Sequence, residues 1–464
     1  MFREIISLLA PKLLRRSRRR PRKGQSAERV SGSNFAPTGG GDGIGDPKVL
    51  LANLAGDSGG AVTDRLSEIL SACEALEVYR TNKPIKQSND SDILLRLLVA
   101  AEKAREWLFE QQADILVWGE VEGDGVRLRF VLKIPCADNL PGAFGLGDTL
   151  ELPDSLLEQA APVIQSTVLA AVGPTFQGLR SRVATALGQA MQGGREIAQV
   201  QPEGMTPEQH ATVLTVLGNA FSTQYRLTKG AKNLESAIAV YRSAAKKISP
   251  EANPEIWAVA QSHFATALKA RGTIEKNEET LKQAAVAYQK ITEILGRDTH
   301  RYDWALAHTN HGLVLYRLSM RTGRAAYLQE AGKAFDEALT VYTKETMPAR
   351  WAETTNQYGV ILLALGEQVT GNVTLEMAVK KFRKVFEVRK REHAPQLWAQ
   401  TANNLGAACF SLAKRNAEVA LLREAQVYFE GAIEVYQQTG AAKRAEVIKS
   451  NLSRVERLLT ARVK

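Results

Sequence analysis

Apolar and polar positions follow two different rhythms along the 464 residues. From Lys48 the pattern switches between strand and helix. "KVLLANL" (Lys48 to Leu54) is a short apolar run, "LAGDSGG" is a turn, and "VTDRLSEILSACEAL" has helical spacing. "LEVYR" predicts a second strand, and "SDILLRLLVAAEKAREWLFEQQ" a long amphipathic helix with Ser91 as its N-cap. A hairpin follows, in which "ADILVWGEV" and "GVRLRFVLKIP" flank the turn "EGDG". In its second strand Val126, Leu128, Phe130, Leu132 and Ile134 alternate with Arg127, Arg129, Val131 and Lys133, which predicts one buried and one wet face. "LPDSLLEQAAPVIQSTVLAAV" reads as a closing helix capped by Asp154 or Ser155. The order βαβαβ plus a hairpin implies a mixed sheet with helices against it, in about 130 residues.

On these residues the chain resembles the TolB N-terminal and FlgO-like family of small α/β domains. The first strand with "LAGD", the helix ending "AREWLFEQQ" and above all "ADILVWGEVEGDGVRLRFV" carry the resemblance, over roughly residues 47–175. It implies a fold more than an active site. Where that family often has a Pro-Phe step after the first strand, this chain has Ala52-Asn53-Leu54.

The second rhythm is a strict repeat. Trp257, Trp304, Trp351 and Trp398 stand 47 residues apart, and the same step lands on His210 before them and Ala445 after them. Eight residues past each marker is a small residue: Gly218, Ala265, Gly312, Gly359, Gly406 and Ser453. Leucine recurs at Leu234, Leu281, Leu328, Leu375 and Leu422, alanine at Ala237, Ala284, Ala331, Ala378 and Ala425, and an aromatic at Tyr241, Tyr288, Phe335, Phe382 and Phe429. Pro207, Pro254, Pro348 and Pro395 precede the markers, with Arg301 the exception, as suits the first turn of a helix. Such columns predict two helices per repeat, each unit incomplete without its neighbour.

These small, Ala and aromatic columns resemble the tetratricopeptide repeat (TPR), lengthened from its usual 34 residues. HEAT and armadillo repeats have the nearer period, but the columns fit the tetratricopeptide pattern better. The fold expected is therefore α/β plus all-α: a small mixed-sheet domain followed by a TPR-like helical solenoid. Its parts are a basic tail and linker (1–46), the α/β domain (47–175), a connecting helix (176–205), five repeats (206–440) and a capping helix (441–464). The functional surface that the resemblance implies is the concave wall of the first helices. Its groove positions include Asn219, Thr266, Lys269, Thr309, Tyr316, Asn356, Leu363, Asn403 and Phe410. The wall lacks the Lys and Asn clamp for a C-terminal carboxylate, so a peptide or partner helix along Tyr316, Leu363 and Phe410 is the partner expected.

Charge changes the picture only at one end. Residues 1–30 hold ten Lys or Arg against Glu4 and Glu28, which is +8 of the net +10. The rest is nearly neutral and implies no basic surface. The dense patch Arg15, Arg16, Arg18, Arg19, Arg20, Arg22 and Lys23 follows Phe2, Ile5, Ile6, Leu9 and Leu13 at helical spacing, the reverse of a secretory signal. Its readings are a solvated arm, an interfacial helix on anionic lipid, or, less favoured, nucleic-acid binding through phosphates. Residues 24–46 are linker by composition.

Candidate chemistry is sparse. Cys73, Cys136 and Cys409 form no CxxC pair, so neither a disulfide framework nor a zinc site is indicated, and a reducing compartment fits. The longest uncharged run, Gln159 to Leu179, carries two prolines and too many polar residues for a membrane span. The turn before Thr63 offers a helix N-terminus to an anion, but no Lys follows its glycines as in a phosphate loop. Asp114 and Glu120 lie too far apart along one strand for a carboxylate pair, and His308 with His311 lacks further ligands. No cofactor or metal is expected.

The reading is a non-enzymatic, cytoplasmic bacterial adaptor with a protein or peptide partner in the groove. TolB-like modules joined to repeats resemble the accessory halves of signalling proteins, and the 46 residues before the α/β domain are too few for a cyclase or winged-helix output domain. The alternatives are a regulator sensing a small anion at Gly56 to Gly60, and an adaptor that uses the tail on the inner membrane or on nucleic acid.

Overall fold

The computed structural model describes residues 45–85, 93–134, 139–173 and 180–463. The basic patch, Ser91 and Cys136 lie outside them. The chain forms two compact bodies, Pro37–Val341 and, beyond it, Tyr342–Lys464, taken separately below.

The first body opens with the mixed sheet. Strands β1 (Lys48–Ala52), β2 (Glu77–Thr81), β3 (Ile115–Glu122), β4 (Gly125–Leu132) and β5 (Thr149–Pro153) lie in the order β2-β1-β3-β4-β5. The first two pairings out from β1 are parallel, the last two antiparallel. Helix α1 (Ala61–Ser71) makes the crossover from β1 to β2, and α2 (Ile93–Glu110) that from β2 to β3. Because β1 is covered on both faces, it reads as an unbroken apolar run: Val49 and Leu51 face one core, Leu50 and Ala52 the other. Helix α2 closes the second core over Leu116, Trp118 and Val131.

Two expectations need correction here. Strand β5 was not expected, and the closing helix α3 spans only Ala161–Val172, without a side-chain cap from Asp154 or Ser155. "TLELP" does alternate, with Leu150 and Leu152 fully buried, but five residues ending in proline are too brief to stand out from the helix pattern beyond. Asp154 instead begins a single 3-10 turn, and its side chain pairs with Arg65.

Beyond α3, helices α4 (Arg180–Gly193) and α5 (Arg195–Gln199) lead to the repeats. Val183, Leu187 and Met191 of α4 and Val213, Val216, Leu217 and Ala220 of the first repeat belong to the same apolar core as Leu128 and Leu150 of the sheet. Burying these side chains together, at roughly 1.5–3 kcal/mol each, joins sheet and first repeat into one hydrophobic unit.

The first body holds α6 (Pro207–Thr228), α7 (Ala231–Lys247), α8 (Pro254–Glu275), α9 (Glu278–Ile294), α10 (Arg301–Thr322) and α11 (Ala325–Val341). The second holds α12 (Pro348–Gln368), α13 (Val373–Val385), α14 (Pro395–Asn416), α15 (Val419–Gln438) and α16 (Ala442–Val463). The first helix of each repeat starts 47 residues after the last, at 207, 254, 301, 348, 395 and 442. The small-residue column has a direct cause. A Cβ on Gly218, Gly312, Gly359 or Gly406 would lie 2.3, 2.8, 2.6 or 2.9 Å from the aromatic ring of Tyr241, Phe335, Phe382 or Phe429 in the same repeat. The aromatic column is fully buried, and Trp257 and Trp304 are buried packing residues.

Candidate functional site

The expected groove divides between the two bodies and is largely filled. In the first body Asn219 and Thr266 are buried, Tyr316 is 5% exposed, and only Lys269 and Thr309 are half-buried. In the second, Asn356, Leu363, Asn403 and Phe410 are all buried, Phe410 being the most exposed at 7%. Asn356 sits in a polar seam between α12 and α14. Its Oδ1 accepts from Thr401 Oγ1 and Asn404 Nδ2, both at 3.3 Å. Arg389, itself buried, donates to Thr401 Oγ1 at 3.0 Å and pairs with Glu353. Burial alone would raise the Glu353 carboxyl, but the charge of Arg389 and hydrogen bonds from Gln357 and Arg389 hold it below the usual value.

What covers the wall of the first repeat was not visible from the pattern. The edge strand β5 lies along α6, with the N–H of Glu151 donating to Thr212 Oγ1 at 2.9 Å. The segment from Leu140 to Asp148 packs down beside it, and a Cβ on Gly142 would meet the Asn219 carbonyl at 2.6 Å. Asp148 closes the contact. Its Oδ1 accepts from Asn219 Nδ2 at 3.0 Å and from His263 Nε2 at 2.7 Å, and its Oδ2 from the N–H of Gly145 at 2.7 Å. His263 stacks on Tyr241, whose hydroxyl donates to Asn219 Oδ1 at 2.7 Å. Asp148 thereby orients the imidazole through its Nε2. No hydroxyl or thiol is hydrogen-bonded to that ring among the described residues, and a cavity of only about 50 Å³ adjoins it. The cluster joins the sheet domain to repeats one and two.

Beside this contact is a larger cleft of about 610 Å³, between the outer face of β4 and the N-termini of α8 and α10. The β4 face expected to be wet lines it with Arg127 and Arg129. Arg127 is held between Glu120 at 2.9 Å and Glu151 at 2.7 Å. Arg129 lies over Trp118, with its guanidinium 5.8 Å from the ring centroid, and burial lowers its affinity for a proton. Arg96 of α2 lines the same cleft.

The other candidates resolve simply. The helix N-terminus at Gly56 to Gly60 already holds an anion, the chain's own Asp57. That carboxylate accepts from the N–H of Val62 at 3.3 Å, the N–H of Thr63 at 2.8 Å and Thr63 Oγ1 at 2.6 Å. These bonds outweigh its partial burial and lower the Asp57 carboxyl. Asp114 accepts from the N–H of Lys48 at 2.9 Å, while Glu120 belongs to Arg127, so the two carboxylates serve separate partners. His308 packs edge-on to Trp304, and burial holds both His308 and His311 down to about 4. Among the described residues no group of three His, Cys, Asp or Glu is placed to hold a metal, and no helix is long and apolar enough to cross a membrane. Cys73 and Cys409 are free thiols. Lys269 donates to Asn310 Oδ1 at 3.4 Å, and burial with the nearby Arg317 pushes its ammonium down to about 7.

No protein-family description and no curated protein matches the chain. Among solved structures it is similar to a "Circular tandem repeat protein with novel repeat topology and enhanced subunit contact surfaces". That likeness has 15% identity and a TM-score of 0.27, over 67% of this chain and 74% of that one. It is also similar to a structure described as "Computational Design of Self-Assembling Cyclic Protein Homooligomers", with 14% identity and a TM-score of 0.10, over 75% and 95% of the two chains.

Proposed function

We propose that the chain is a non-enzymatic interaction scaffold, in which tetratricopeptide-like repeats hold a protein or peptide partner. A TolB N-terminal/FlgO-like module is built onto their first turn. One observation carries this reading. On the first helix of the third repeat, Leu306, Thr309 and Leu313 remain half-buried on the surface that the α/β domain covers in the first repeat and, at Val259 beside Gly147, in the second. That strip already accepts β5 and the Leu140 to Asp148 segment at its start, so the wall is a surface to which extended chain docks. A partner segment bearing apolar side chains extends the same mode over Leu306 and Leu313. The cell interior, with a bacterial origin, is the compartment proposed.

Site-specific crosslinking tests it. A photoreactive amino acid at Thr309 should capture one defined partner in the source cell. The same group at Val286, which is 52% exposed on α9, should not. Equal capture at both positions, or none at Thr309, contradicts the reading.

A further inference from the structure

The contact made by Asp148 has a counterpart one repeat further on. Asp148 is received by Asn219 of α6 and His263 of α8, beside Tyr241 of α7, whose hydroxyl is bonded to both Asn219 and Ser222. Advancing Asn219, His263, Tyr241 and Ser222 by the 47-residue step gives Thr266, Asn310, Tyr288 and Lys269. The arrangement is kept as well as the spacing. The Tyr288 hydroxyl is bonded to Thr266 as that of Tyr241 is to Asn219, and Thr266 and Asn310 are each 2% exposed. Lys269 stands at the place of Ser222, with its ammonium 6.0 Å from the centre of the Tyr288 ring.

What differs is the charge. At the first position the α/β domain supplies a carboxylate to neutral side chains. At the second, Lys269 donates to Asn310 Oδ1 at 3.4 Å, and Arg317 of α10 is near enough to weaken its hold on a proton. Both cations are half-buried, and no carboxylate among the described residues bears on either. Neighbouring like charges partly withdrawn from water, with no counter-ion, are unfavourable, and an arriving anion offsets both the repulsion and the lost hydration.

We propose that Thr266, Asn310, Lys269 and Arg317 receive an Asp or Glu side chain of the docked partner segment. The inference rests on the scaffold reading and adds the partner's chemistry: an extended segment with apolar residues over Leu306 and Leu313, and one acid one repeat beyond the place of Asp148. The acid is a side chain within the segment, as Asp148 is within its own. Hydrogen bonds from an ammonium or guanidinium to a carboxylate are roughly twice as strong as neutral ones, so this one group sets much of the specificity.

The test is selection on the full chain from a random-peptide library displayed ahead of a phage coat protein, so that no peptide has a free carboxyl end. Apolar peptides carrying one Asp or Glu at a fixed place are expected. Replacing that acid by its amide should weaken binding to the parent about tenfold by fluorescence anisotropy, the measure of one strong charge-assisted contact. Lys269→Met removes a half-buried charge, so it should melt no lower than the parent while losing most of the preference for the acid. Lys269→Glu with Arg317→Glu should select peptides bearing Lys or Arg at the same place, a switch that unfolding cannot produce. Should that double variant fail to fold, Lys269→Met still decides. Apolar peptides with no acid in common, or an acid preference that Lys269→Met leaves intact, overturn the proposal and leave the scaffold reading standing. No peptide selected at all overturns both.

Discussion

Asp148 accepts a 2.7 Å hydrogen bond from His263, across 115 residues of sequence, from a position at which it is itself 5% exposed. The same carboxylate satisfies Asn219 and the N–H of Gly145. Asp148→Ala would leave three donors without an acceptor in a buried contact. An unmade buried hydrogen bond costs about 1–3 kcal/mol, so a loss of roughly 2–4 kcal/mol is expected, partial re-hydration discounted. Urea unfolding measures the loss, and limited proteolysis should show the segment near Leu140 becoming cleavable. An unchanged midpoint and digestion pattern would mean that the contact does not hold the sheet domain to the repeats.

The glycine and aromatic pairs predict graded effects. Alanine at Gly218 or Gly359 meets a buried ring at 2.3 or 2.6 Å, against 2.8 or 2.9 Å at Gly312 or Gly406. Overpacking of this kind costs about 1–3 kcal/mol, so Gly218→Ala and Gly359→Ala should fall at the upper end and the other two at the lower. The second repeat carries Ala265 in this column with Tyr288 in the aromatic column, so the methyl is accommodated there. Ala265→Gly should therefore cost only helix propensity, about 1 kcal/mol. Equal losses at all four glycines would contradict the ring-contact account.

His308 and His311 are held neutral by burial, to about 4, against an unperturbed value near 6.5. Between those values the unfolded chain binds protons that the folded chain does not. Stability therefore rises with pH across that window and is lost as pH falls from about 6.5 towards 4. The melting temperature should drop by several degrees from pH 7.5 to pH 5, and His308→Gln with His311→Gln should reduce that drop. An equal drop in parent and variant would contradict the assignment.

Much of this was legible in the sequence because repetition multiplies a weak signal. One glycine before one aromatic says little. Gly218, Gly312, Gly359 and Gly406 in register with Tyr241, Phe335, Phe382 and Phe429 mark a close approach of two helices with an aromatic beside it, and the structure adds that the ring itself is what the glycine meets. The hairpin was legible because period-2 alternation of Val126, Leu128, Phe130 and Leu132 runs for a full strand. Strand β5 was not, since five residues ending in Pro153 carry too little pattern. Nor could spacing reveal that Tyr316, Leu363 and Phe410 are buried. Helical periodicity identifies a face, while the neighbour that covers it comes from tertiary packing. Asp148 left no local trace either, because its partners Asn219 and His263 are distant in the chain and carry no motif. Arg127 and Arg129 of the cleft were visible only as the polar face of β4.

The basic tail gives a prediction of its own, resting on sequence. Ten cations in residues 1–30 should draw the chain to vesicles containing anionic lipid, at roughly 1 kcal/mol per basic residue near the surface. Flotation with and without residues 1–30 checks it. Binding that falls with salt and disappears on deletion supports an electrostatic anchor, and binding that survives deletion contradicts it.

The central claim is that the repeats hold a partner through the accessible strip on their first helices. Affinity capture from the source cell with the full chain, beside a Leu306→Asp, Leu313→Asp variant of unchanged circular dichroism and melting temperature, tests it most directly. The account predicts a defined protein retained by the parent and lost by the variant. A partner retained equally by both, or none above background, would contradict it.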